Sequence, residues 1–268
     1  MNISSPSPWL FTPQPRPRAR MRLFCFPFAG GSAAFYHSWA QTLPDTVEIS
    51  GIELPGRGMR FNAPLHRHLP AIVEPLTAAL KPLCDRPFVI FGHSMGSLLG
   101  FETTRRLQAV GLVPAAFLAS GRRGPGIRRE GTPLHQLDDK ALIHQLSRYN
   151  GTPAEILADP DMRGLFLPII RADLQVNETH MHVEGPKLQC PIHAFAGTED
   201  EEAPPHLVSH WRHQTQMDFS LTAVPGGHFF LKENERDFFR HLLDILGRID
   251  PMSPSITSHS SQFGEMSP

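Results

Sequence analysis

The sequence predicts an α/β fold: a mostly parallel sheet with helices on both faces and an inserted, all-helical segment. Three observations carry this. Short apolar runs alternate with stretches of helical spacing through the first 120 residues, the pattern of strand-helix-strand units. Residues 121–185 then break that rhythm with turn clusters and helical patterns alone, before the strand pattern returns at Pro191. At the centre, residues 88–100 read FVIFGHSMGSLLG, where four apolar residues stop at Gly92 and a helical pattern begins almost at once.

Taken in order, residues 1–20 are rich in Pro, Ser and Arg and read as an extended or mobile arm, with Trp9, Leu10 and Phe11 available to anchor it. Residues 22–28 (RLFCFPF) read as a buried strand broken by Pro27. The following Ala29, Gly30 and Gly31 form a turn into a helix over 33–42, which exposes backbone N–H groups at the carboxyl end of the strand. Residues 47–54 are the next strand and empty into the turn cluster Pro55-Gly56-Arg57-Gly58. Helical spacing over 69–83 places Ile72, Val73, Leu76 and Leu80 on one face, with Pro75 demanding either a start near Ala71 or a kink. The helix after residue 94 runs to about Val110 with Gly111 beyond its end, and 115–120 is a strand.

Within 121–185 the helical patterns cover 138–149, 153–158 and 162–176, and an all-helical insertion in an α/β chain reads as a lid. Strands follow over 191–196 and 219–224, with helices over 204–214 and 229–249. The core is therefore expected from 21–120 and 186–249, with a disordered tail over 250–268.

Composition narrows the function. The formal net charge is −1 and 19% of residues are charged, so no global field favours nucleic acid or a membrane surface. The three cysteines (Cys25, Cys84, Cys190) are odd in number and widely spaced, which fits a reduced, cytoplasmic compartment. The N-terminus has no apolar core of signal-peptide length, and no stretch approaches a membrane span. A soluble cytoplasmic protein is expected.

The chemistry centres on Gly92-His93-Ser94-Met95-Gly96, a G-x-S-x-G in the strand-turn-helix context of a nucleophile elbow. A bare glycine-rich turn would need small residues too, but the context favours Ser94 as a nucleophile. A serine hydroxyl needs a base to remove its proton, and the base needs a carboxylate to fix its tautomer. In α/β-hydrolases the chain order is Ser, acid, His. Of the histidines, His228 alone lies in a Gly-Gly-His turn after a late strand, and Asp200 occupies the loop after the preceding strand, with Glu199 and Glu201 as fallback acids. Oxyanion donors are expected from the backbone N–H groups of Met95 and Ala29; the Met95 side chain is a separate matter, with packing as its plain reading. His66 with His68, His180 with His182, and His206, His210 and His213 suggest metal ligation. No acid or cysteine completes a site at ligand spacing in those stretches, so surface histidines and no metal are expected. The pairs Arg105-Arg106, Arg122-Arg123 and Arg128-Arg129 would ordinarily be solvated, yet they crowd the mouth of the insertion and suggest docking of an acidic partner or phosphate.

Several stretches, LFCFPFAGGSAAFYHSW, IELPGRGMRF, FGHSMGSLLGFE, GTPAEILADPDM, LPIIRADLQVNETH, CPIHAFAGTED and PGGHFFL, occur in order over residues 9–248. Together they resemble the type II thioesterases that stand beside polyketide and nonribosomal peptide synthetases. The resemblance implies an α/β-hydrolase fold and a Ser94, Asp200, His228 triad beneath a mobile lid. It also implies hydrolysis of aberrant or mis-primed acyl groups from the phosphopantetheine arm of carrier proteins, with no cofactor of the enzyme's own. Phe28 stands where the family often has Tyr or His, which leaves only the loop's backbone role. Leu157, Phe166, Leu167, Ile169 and Ile170 either line an acyl pocket or bury the insertion against the core. The alternatives are a medium-chain fatty acyl thioesterase or carboxylester hydrolase of the same fold, and a non-catalytic binding module.

Overall fold

A computed structural model describes residues 7–250. Strands β1 (Leu10–Phe11), β2 (Met21–Phe26), β3 (Val47–Ile52), β4 (Phe88–His93), β5 (Ala116–Ser120), β6 (Ile192–Gly197) and β7 (Phe219–Val224) form one sheet in the order β1-β3-β2-β4-β5-β6-β7. Only the β1–β3 pair is antiparallel. The central strands read as unbroken apolar runs because both faces are covered. Phe88 and Ile90 of β4, Phe24 and Phe26 of β2, and Phe117 and Ala119 of β5 enter one core. Their neighbours Val89, Phe91, Leu23, Cys25, Ala116 and Leu118 enter the other, as a two-residue side-chain period requires.

The first core is closed by α2 (Leu69–Leu80) and α3 (Met95–Gln108). The second is closed by α1 (Trp39–Thr42) and a late helix described below. Of the two alternatives for Pro75, a start near Ala71 or a proline within the helix, α2 takes the second: it starts at Leu69 and Pro75 lies inside it. Pro75 has no N–H for the carbonyl four residues earlier, but burial of Ile72, Val73, Leu76 and Leu80 carries the helix past it. Between β5 and β6 stand α4 (Asp139–Tyr149), α5 (Ala154–Ala158) and α6 (Pro160–Thr179). Asp138 and Asp159 cap α4 and α6, accepting from the N–H groups of Ala141 (2.8 Å), and of Asp161 and Met162 (2.8 and 2.9 Å). These helices bury a small core of their own, from Leu142, Leu146, Leu157, Leu167, Ile170 and Leu174. After β6 come α7 (Pro205–Val208), α8 (Phe230–Glu233) and α9 (Glu235–Ile249). The expected single last helix is broken at Asn234, and α9 packs Phe238, Phe239, Leu242 and Leu246 under the sheet beside Trp39.

The N-terminal arm departs from expectation. Residues 7–20 are built into the fold: Leu10 pairs with Ile52, and Arg60 stacks 3.7 Å over the buried Trp9 ring. The Arg16 guanidinium donates to the carbonyls of Ala40, Leu43, Pro44 and Val47, and Arg20 pairs with Asp250 at 2.6 Å. A Pro/Arg-rich composition suggests mobility, but here Arg16 and Arg20 find carbonyl or carboxylate acceptors far away in sequence. The expected tail, except Asp250, lies outside the described residues.

Candidate active site

The elbow forms where β4 meets α3. Ser94 has φ 53° and ψ −118°, a strained conformation for a residue with a side chain, costing on the order of 1–3 kcal/mol. The glycines on either side make room for it. A Cβ on Gly92 would lie 2.1 Å from Gly96 O, and one on Gly96 would lie 2.2 Å from Phe26 O. Neighbouring bonds fix the turn: Ser94 N donates to Ser120 O at 2.8 Å, and Ser97 Oγ lies 2.7 Å from Gly92 O and accepts from Ser120 N at 3.1 Å.

The loops after β6 and β7 bring the acid and the base to this turn. His228 Nε2 lies 3.0 Å from Ser94 Oγ, and His228 Nδ1 lies 2.8 Å from Asp200 Oδ2. Asp200 is buried, and its Oδ1 accepts from the N–H groups of Glu202 and Ala203 at 2.9 and 3.0 Å. A carboxylate held this way accepts a hydrogen bond from Nδ1–H and fixes the proton on that nitrogen, which leaves the Nε2 lone pair facing the serine hydroxyl. The three residues named from sequence therefore meet in one hydrogen-bonded relay. Glu199 and Glu201 take no part in it; Glu201 pairs with Arg148 at 2.6 Å.

The expected oxyanion amides are also near. The N–H groups of Met95, first residue of α3, and Ala29 have no acceptor among the described residues, and Ala29 lines the same cavity as Ser94 and His228. The Ala29 loop is pinned by an ion pair that sequence reading did not single out. Gly30, at φ +77°, donates its N–H to Asp173 Oδ2 of α6 at 2.8 Å. Arg57 grips both oxygens of Asp173 at 2.5 and 2.8 Å and donates to Gly31 O at 3.0 Å. Arg57 and Asp173 are both buried. They are 116 residues apart in sequence, so no local spacing reveals the pair.

The rings around His228 were likewise not foreseen. Tyr149, His93 and Phe229 stand 5.4, 5.2 and 5.5 Å from it. Tyr149 OH donates to Glu202 Oε2 at 3.1 Å, and burial and the Glu202 charge push its phenol up from the ordinary tyrosine range. His93 is fully buried, and burial, aided by His228, holds its imidazole well below the usual histidine range. Phe28 packs edge-on against Phe229 at 4.8 Å, a purely apolar role.

Ser94 and His228 open into a cavity of about 410 Å³, walled on its apolar side by Leu98, Phe101, Leu134, Leu146 and Leu174. Of the five insertion residues considered for an acyl pocket, none lines this cavity; Leu157, Leu167 and Ile170, with Phe166 against them, pack in the insertion's own core. Helical spacing marks a residue as buried but does not say on which side. The arginine pairs divide similarly. Arg122, Arg123, Arg128 and Arg129 border the cavity, but Glu202 pairs with Arg123 and Arg129 at 3.2 and 3.1 Å. Arg122 contacts Asn177 and has no carboxylate within ion-pair distance among the described residues; burial lowers its guanidinium to about 10. Arg105 and Arg106 lie elsewhere, paired with Glu102 and Glu74. Among the described residues, no helix is long and apolar enough to cross a membrane.

A thioesterase-domain family model matches residues 21–248, which contain the whole relay. The chain belongs to the thioesterase family. This thioesterase is 35% identical over 241 residues to the gramicidin S biosynthesis protein GrsT of Aneurinibacillus migulanus, covering 90% of this chain and 94% of that protein. It is 36% identical over 224 residues to thioesterase PikA5 of Streptomyces venezuelae, covering 83% and 79%. Among solved structures, the type II thioesterase BorB from the borrelidin biosynthetic cluster superposes with a TM-score of 0.82 at 34% identity, covering 92% of this chain and 99% of that one. The α/β-hydrolase fold expected from sequence is thus the fold of this thioesterase's relatives, and the protein is a serine hydrolase acting on thioesters.

Proposed function

We propose that this thioesterase clears aberrant or mis-primed acyl groups from the phosphopantetheine arm of carrier proteins in a polyketide or nonribosomal peptide synthetase. Ser94 Oγ attacks the thioester carbonyl while His228 Nε2 takes its proton, and Asp200 stabilises the imidazolium. The Met95 and Ala29 N–H groups hold the oxyanion, and the pantetheine sulfur leaves with the proton returned by His228. Water, deprotonated by His228, then releases the acid from acyl-Ser94. These steps call for no cofactor. The observation that carries the reading is the 3.0 and 2.8 Å relay opening into an apolar-walled cavity within a family of thioesterases. The helices over 134–179 serve as the lid over that cavity. The free cysteines, of which Cys25 and Cys190 are buried, support a cytoplasmic setting beside such a synthetase.

Medium-chain fatty acyl release is the weaker reading, since the relatives named for it stand at 29% and 30% identity. The test is mass spectrometry of an acylated carrier domain with the purified enzyme, alongside acyl-CoA and a simple ester. Faster turnover of the carrier-bound acyl group is expected, with Ser94→Ala inactive and unlabelled by a fluorophosphonate. Preference for the simple ester would sink the carrier reading. Full hydrolysis by Ser94→Ala would sink the mechanism, and fluorophosphonate-inert wild type would favour a binding module.

A further inference from the structure

At another part of the wall of the same cavity, His180 and His182 follow directly on α6 and face Glu102, which lies on α3 eight residues beyond Ser94. One nitrogen of each imidazole and one carboxylate oxygen of Glu102 all lie within 4.8 Å of one another. The acid that local spacing around the histidines lacks comes from a different element. His180 Nε2 is 3.6 Å from Glu102 Oε1, too long for a hydrogen bond. His180 Nε2 and both nitrogens of His182 are buried without a hydrogen-bond partner, and the His182 side chain is only 10% exposed. Three buried, unspent nitrogens in one cluster is unusual, because each ordinarily costs about 1–3 kcal/mol. The exposed Glu184 stands 3.8 Å from His182 Nε2, so it does not satisfy that nitrogen. A simple Glu102–His180 ion pair would leave His182 unexplained.

We propose that Glu102, His180 and His182 bind one divalent transition-metal ion of the zinc class, joining the end of α6 to the helix that carries the nucleophile. Two imidazoles and a carboxylate are ligands suited to zinc rather than to calcium or magnesium, which prefer oxygen alone. Bond lengths near 2.0–2.2 Å place tetrahedral ligand atoms about 3.4 Å apart, so separations bounded by 4.8 Å must close by at most about 1.4 Å. The segment after α6 that supplies both histidines lies outside any helix or strand, so it is the part that would make that adjustment. Arg105 holds the carboxylate in place, donating to Glu102 Oε1 at 3.3 Å and to Val183 O at 3.1 Å.

The experiment uses the untagged full chain, stripped with a chelator and titrated with Zn²⁺ by calorimetry and with Co²⁺ by visible absorption. One equivalent is expected, with a tetrahedral Co²⁺ spectrum and a higher Tm. His182→Ala and Glu102→Gln should each weaken binding by about 100-fold or more. A His210→Ala/His213→Ala variant, which removes another histidine pair with rings 5.7 Å apart, should bind as wild type does. His182→Gln serves as a second variant if His182→Ala does not fold, and circular dichroism of the metal-free proteins checks that each is native. The proposal is overturned if wild type takes up no equivalent, if the His182 or Glu102 variants bind as tightly as wild type, or if the His210/His213 variant loses the site. The readout involves no substrate, so it is separable from the carrier-protein reading.

Discussion

Asp173→Asn probes whether the oxyanion loop is positioned from the helical insertion. In the native structure the Asp173 carboxylate takes two bonds from Arg57 and one from Gly30 N, at 2.5, 2.8 and 2.8 Å. Asparagine keeps one acceptor and puts an NH2 group where the other oxygen stood; with that NH2 at the Oδ2 position it faces two donors, Arg57 Nη1 and Gly30 N. Two charge-assisted bonds at about 1.5–3 kcal/mol each are lost, and Arg57 becomes a buried, unpaired cation. The cost should be about 3–5 kcal/mol, a large share of the 5–15 kcal/mol typical of a domain. Gly30 N loses its acceptor beside Ala29, so kcat should fall about 10- to 100-fold with KM little changed, less than the 10²–10³ of losing an oxyanion donor outright. Chemical denaturation gives the first quantity and release of pantetheine thiol the second. The double variant Arg57→Met/Asp173→Leu removes the stranded charge and should recover stability to within about 1 kcal/mol of wild type. Its kcat should stay low, because Gly30 N still has no acceptor. If Asp173→Asn keeps full kcat, or the double variant restores it, the positioning argument is wrong.

Four further outcomes are expected. Gly96→Ala, whose Cβ would meet Phe26 O at 2.2 Å, should destabilise the elbow by more than about 3 kcal/mol and yield little folded protein, seen by solubility and thermal melting. Leu134→Trp narrows the cavity wall and should shift acyl preference toward shorter chains. Leu157→Ala, in the insertion's own core, should cost about 2–4 kcal/mol with chain preference unchanged in a substrate-length series. The fourth concerns pH. Because burial depresses His93 in the folded state, only the unfolded chain gains its proton below about pH 6.5, so stability falls as pH drops through that value. The loss between pH 6.5 and 5.5 should be about 1 kcal/mol larger in wild type than in His93→Gln; equal slopes in denaturant titrations would refute it.

The sheet, the elbow and the relay were legible because each writes a local signature. Buried parallel strands are apolar runs, the elbow compresses strand, serine and helix into one short stretch, and the base and acid sit in turns after late strands. What escaped notice depends on long separations. Arg57 and Asp173 give no hint of each other, Glu102 joins His180 and His182 only through the packing of α3 against α6, and Tyr149 reaches His228 only once α4 is folded over the site. The N-terminal arm departs from its composition because arginine and proline signal mobility, while Arg16 satisfies four carbonyls that only the fold brings to it.

The Asp173 contact makes α6 something other than a hinged cover. A motion that swung α6 away as one body would withdraw Asp173 from Gly30 and relax the oxyanion loop at the moment of entry. Among the described residues α4 and α5 carry no such tether to that loop, so access past them would leave α6 seated. The result is an interlock: the wall that shapes the binding space and the support that readies the catalytic amides are one helix, so the site is competent only while that helix is home.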